Sequence, residues 1–83
     1  MEPEVAFGIV LRELRKQRGL SQESLAHEAG MERNYLSLLE LGKNSASVKM
    51  IFKIASALSI TVSELMSLVE EKQGEVQKLR RGK

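Results

Sequence analysis

Three closely spaced side chains, Arg33, Asn34 and Ser37, are of the types that read the edges of DNA bases. Arginine can donate two bonds to guanine, asparagine can bond adenine in both directions, and serine can bond either base or a phosphate. Tyr35 and Leu38 lie in the same run. A tyrosine ring can pack while its hydroxyl reaches a phosphate or a base edge; a leucine can only touch a thymine methyl or fill space. Just beyond, Lys43, Asn44 and Ser45 join a charge to short polar side chains. Such a loop can grip a phosphate and so set orientation without reading sequence, and a simple polar turn is the alternative. Ser47 then stands where an N-cap should, opening a helix whose first amides would add an anion site.

Two short helices around one turn, over about residues 21–41, would position these groups. Ser21 is the expected N-cap of the first, with Glu23 placed well against its N-terminus. Leu25, Ala26 and Ala29 recur at helical spacing, and Gly30 ends the segment. The second helix carries Met31, Leu36 and Leu39, with Glu40 in its last turn and Gly42 as its stop. At about 100° per residue, Leu36 and Leu39 share one side. Asn34, Ser37, Leu38 and Leu41 point the other way, and Arg33 sits on the flank. A helix that enters a major groove requires such a face. From periodicity alone, an ordinary helical hairpin with a solvated polar face fits equally well.

The string L-S-Q-E-x-L-A-x-x-A-G-M-x-R-x-Y-L-S-x-L-E-x-G-K resembles the Cro/phage-repressor class of bacterial regulators, the XRE family, over about residues 7–68. Within that family, the R-N-Y-L-S segment is similar to the small controller proteins of restriction–modification systems. The resemblance implies a compact five-helix, lambda-repressor-like domain that binds double-stranded DNA as a homodimer. It also implies that Gln22 bonds a backbone phosphate and steadies the first side chain of the recognition helix. Arg15 would pair with Glu40 and tie the first helix to the end of that recognition helix. The family often has Pro near Ser47 and a second basic residue in the preceding loop; both are missing here.

The remaining chain fits an all-α fold. A first helix over about Val5 to Arg18 has Phe7, Val10, Leu11 and Leu14 as its apolar stripe, with Gly19 as its stop. Lys16 and Arg18 read as a solvated face. A fourth helix, Val48 to Leu58, presents Val48, Ile51, Phe52, Ile54, Ala55 and Leu58 as core. Thr61 and Glu64 form a capping-box signature for a fifth. That fifth helix has more apolar surface than one edge of a small bundle needs, so Leu65, Leu68 and Val69 are expected to form a dimer face.

The 83 residues make one domain, residues 1–71, and a basic tail, 72–83, either helical or disordered. The net charge of +2 is uneven: residues 1–71 hold eight basic and ten acidic groups, while the tail holds five basic groups against Glu75. Gly74 is expected to interrupt any helix there; Val76 and Leu79 hint at a one-sided stripe. A frayed end, a second dimer strut and an arm on DNA are the readings of this segment.

One His, no Cys and no Asp leave few groups for acid–base or metal chemistry. An enzyme, a metal site, a cofactor and a small-molecule effector are therefore not expected. No apolar run approaches the roughly 20 residues of a membrane span, and a cytoplasmic location is expected. The expectation is a dimeric, sequence-specific transcriptional regulator on a two-fold-symmetric operator. The rival is an adaptor or antitoxin that uses the same fold to bind protein.

Overall fold

The computed structural model describes the backbone from Met1 to Arg81 and the side chains of residues 1–74. Five helices follow one another: α1 Pro3–Gln17, α2 Gln22–Ala29, α3 Arg33–Glu40, α4 Val48–Ala57 and α5 Val62–Arg81. There is no strand among the described residues.

Local chemistry accounts for most of the helix ends. α1 starts at Pro3, two residues before the expected Val5, because a proline at the first helical position lacks only an amide that would be unpaired anyway. Ser21 Oγ accepts the Ser24 amide at 3.0 Å and caps α2. Gly30, at φ +71°, turns the chain out of α2 so that the Met31 amide reaches the Ala26 carbonyl. Met31 lies outside α3, contrary to the expected pattern, and Glu32 takes the N-cap position. Ser47 Oγ accepts the Met50 amide and caps α4. Thr61 and Glu64 exchange reciprocal bonds of 3.0 Å, completing the capping box of α5.

α1 packs on both α3 and α5, α2 on α3 and α4, and α4 on α5. The fully buried centre comprises Leu11, Leu25, Leu36, Leu39, Ile54, Leu58 and Leu65. The expected stripe of α1 is all inside.

Four expectations are corrected. Val48 and Phe52 are 71% and 60% exposed rather than core. α4 buries its Ile54–Ala55–Leu58 side, with Met50, Ile51 and Ala57 partly buried beside it, while Lys49, Lys53 and Ser56 form an exposed polar stripe that Phe52 flanks. Phe52 lies about 160° around the helix from Ile54. Conversely, Leu65 and Val69 are buried in the protomer's own core, so they cannot form a dimer face; only Leu68, 37% exposed, remains open. α5 runs through Gly74, since a glycine inside a helix costs about 1 kcal/mol and does not forbid continuation. Arg18 is not merely solvated: its Nε donates to the Leu58 carbonyl and ties the end of α1 to the end of α4. The stripe suggested for Val76 and Leu79, and the side chains of the basic tail beyond Gly74, lie outside the described residues.

Candidate nucleic-acid interface

α3 is held from behind by its last residue. Glu40 is buried and accepts Arg15 Nε at 2.6 Å on Oε2 and Arg15 Nη2 at 3.1 Å on Oε1. A third Arg15 donor, Nη1, reaches the Leu20 carbonyl at 2.8 Å. This fork-on-fork geometry suits arginine alone among the basic side chains. The pair that the family resemblance implies is present, and it fixes α3 against α1.

Gln22 joins the same cluster by donating Nε2 to Glu40 Oε1 at 3.0 Å. The amide therefore steadies the last residue of α3, not the first as expected. It is only partly buried, and its second amide hydrogen stays available to a phosphate oxygen.

A glycine in the middle of α1 lets this contact form. A side chain on Gly8 would run into the backbone carbonyls of Leu39 and Glu40, the latter at 2.7 Å. α1 and α3 thus cross backbone to backbone. Sequence reasoning passed over Gly8, although an isolated glycine within a helical pattern is a signal of close packing.

With Leu36, Leu39 and Glu40 buried, the opposite face of α3 is set. Arg33 and Asn34 are exposed, Ser37 is partly exposed, and Leu38 is 37% exposed. Leu41 ends the same face at 63% exposure. Arg33 and Lys43 bracket the helix with positive charge, and no acidic side chain lies between them on the outward face. The helix presents a donor-rich surface about 12 Å long, taking eight residues at 1.5 Å each.

Tyr35 does both halves of what its position suggested, within the protein. Its ring packs against the core, and its hydroxyl donates to the Ser45 carbonyl at 3.2 Å. That bond links the recognition helix to the loop behind it. To donate to a phosphate the hydroxyl must release Ser45; as placed, it can still accept from a base amino group. Lys43, Asn44 and Ser45 are exposed in one loop, leading directly to the capped N-terminus of α4. The structure therefore gathers Gln22, the outward side of α3 and this loop around one helix-turn-helix. His27 is an exposed surface residue on α2.

This arrangement defines a DNA-binding helix-turn-helix domain. A family model for the helix-turn-helix matches residues 11–65, and the chain belongs to the XRE-type helix-turn-helix family of transcriptional regulators. It is 43% identical over 68 residues to the control protein C.MunI of a Mycoplasma species, covering 81% of this chain and 92% of that one. The control protein C.BamHI of Bacillus amyloliquefaciens is 36% identical over 61 residues, covering 72% and 75%. Among solved structures, the restriction–modification controller protein C.AhdI of Aeromonas hydrophila superposes with a TM-score of 0.73. It has 47% identity and covers 75% of this chain and 94% of that one. These relatives are regulators rather than enzymes.

Proposed function

We propose that this chain is a homodimeric, sequence-specific regulator that binds a two-fold-symmetric operator and controls a restriction–modification system. The observation that carries the reading is the exposed Arg33–Asn34–Ser37 face on a helix whose rear is locked by Arg15, Glu40 and Gln22. Arg33, Asn34 and Ser37 contact base edges, with Tyr35 and Leu38 on the same face. Gln22, Lys43, Asn44 and Ser45 contact phosphates and fix the register. The likeness to three controller proteins supports the biological role.

The dimer uses the outward side of α4. Val48 and Phe52, one turn apart, are the largest exposed apolar pair among the described residues, and Leu68 on α5 adds a smaller one. Two such protomers would set their α3 helices about 34 Å apart on successive major grooves.

Selection of binding sites from a random duplex library at near-physiological salt tests the function. Enrichment of a palindrome with half-sites about 10 base pairs apart is the expected result. A folded dimer that enriches no sequence would overturn the reading and point to a protein-binding role.

A further inference from the structure

The loop from Lys43 to Ser47 is hollow behind. Between it and the first turns of α1 lies a pocket of about 150 Å³, walled by Phe7 of α1, Ala46 of the loop, Ile51 of α4 and Met66 of α5. Glu4 and Ser45 also line it, and Glu4 is its single charged group. Glu4 is half-buried, and its carboxylate makes no hydrogen bond or ion pair among the described residues. The first turn of α1 suits a negative charge, but that does not explain an apolar hollow beside it. The hollow also touches the machinery around α3. Ser45 lines it and, through its carbonyl, holds the Tyr35 hydroxyl at 3.2 Å.

We propose that this pocket binds a small organic ammonium ion, a single apolar ring carrying a protonated amine, and that the bound ion loosens the loop's grip on phosphate. The second half rests on the phosphate role proposed above for Lys43, Asn44 and Ser45; the first half does not. Size and charge select the ligand. An apolar cavity of about 150 Å³ takes a benzene-sized ring, whereas a partner helix, about 10 Å across, is too wide for it. Phe7, Ala46, Ile51 and Met66 take the ring out of water. The ammonium then pairs with Glu4, a contact that a neutral ring lacks and that an anionic ring turns into repulsion. A ring wedged under Ala46 displaces Ser45 from Tyr35, so the loop no longer stands where a phosphate would meet it.

The test titrates benzylammonium into the isotope-labelled full chain, beside benzyl alcohol and benzoate, and follows the amide resonances. Those of Phe7, Ser45, Ala46 and Ile51 should move together and saturate. Benzyl alcohol should bind about three-fold more weakly, the size of one half-exposed ion pair, and benzoate more weakly still. Glu4→Gln should bring benzylammonium down to the level of benzyl alcohol. Ala46→Leu fills the hollow and should abolish binding of all three; circular dichroism checks that both variants fold. Saturating benzylammonium should weaken binding of the selected duplex by about five-fold or more in wild type and leave Ala46→Leu unchanged. Equal binding of the three probes, or shifts scattered over the surface, overturns the site. Shifts at these residues that follow protein concentration instead of probe concentration make a second copy the occupant and also overturn it. Saturable binding with unchanged duplex affinity overturns the regulatory half. The probe titration needs no DNA, so a chain that selects no duplex sequence overturns the proposed function separately from the site.

Discussion

The Arg15 guanidinium grips the Glu40 carboxylate through two bonds, at 2.6 and 3.1 Å, across 25 residues of chain. Both side chains are nearly out of water, at 10% and 3% exposure. Removing one partner strands a buried charge, which costs about 3–5 kcal/mol. Glu40→Ala should therefore lower the melting temperature by more than about 10 °C, since 1 kcal/mol shifts a domain of this size by about 4–8 °C. The double variant Arg15→Met with Glu40→Leu should melt well above Glu40→Ala, because no unpaired charge remains. Equal melting of the single and double variants would show that the loss does not come from a stranded Arg15 charge.

Gly8 should tolerate no side chain. Alanine is a better helix former than glycine by about 1 kcal/mol, so an unconstrained site would gain stability. Here the added methyl meets two backbone carbonyls of α3, which cannot rotate away. Overpacking of this kind costs about 1–3 kcal/mol or more. Chemical denaturation of Gly8→Ala should show net destabilisation. An increase in stability would mean that α1 and α3 cross less closely than described.

Phe52→Glu separates folding from assembly. Phe52 is 60% exposed, so the charge should leave the protomer folded while making association of two apolar faces unfavourable. Sedimentation should give a monomer with unchanged helical content, and operator affinity should fall because one half-site is then bound at a time. A dimer persisting in this variant would place the interface elsewhere.

Arg33 and Lys43 should fail in different ways. Arg33→Ala is expected to relax preference at one base position, with a loss of about 1–3 kcal/mol for a bidentate contact. Lys43→Ala should weaken all sequences about equally and reduce the salt slope by about one unit. Binding isotherms over a salt series, on the selected duplex and its single-base variants, distinguish the two. A uniform loss from Arg33→Ala would make it a phosphate contact.

Short-range chemistry made much of the fold legible in the sequence. Ser21, Ser47 and the Thr61–Glu64 pair mark helix starts because each side chain satisfies an amide within its own turn. The face of α3 followed from Leu36 and Leu39. The Arg15–Glu40 pair came only from the family resemblance, since nothing local in either residue points to the other. What sequence misplaced was the apolar surface of α4 and α5. Periodicity says that Val48, Phe52, Leu65 and Val69 are apolar, but the packing partner decides which side turns inward. In α4 the polar stripe of Lys49, Lys53 and Ser56 does mark the outward side. Phe52 lies about 60° from Lys49, on the flank of that stripe, while Ile54 and Leu58 stand opposite it. Reading residue type alone masked that placement. The hydroxyl of Tyr35 on Ser45 was equally hidden, because a backbone acceptor leaves no mark in the sequence.

Guanine methylation interference on the selected duplex tests most directly whether the outward side of α3 reads bases. Methylation at guanine N7 blocks the acceptor that an arginine uses in the major groove. The predicted result is loss of binding from modification at symmetry-related guanines about 10 base pairs apart, with that interference absent in Arg33→Ala. Binding that is indifferent to N7 methylation throughout, or blocked in one half of the duplex alone, would contradict a two-fold complex read by α3.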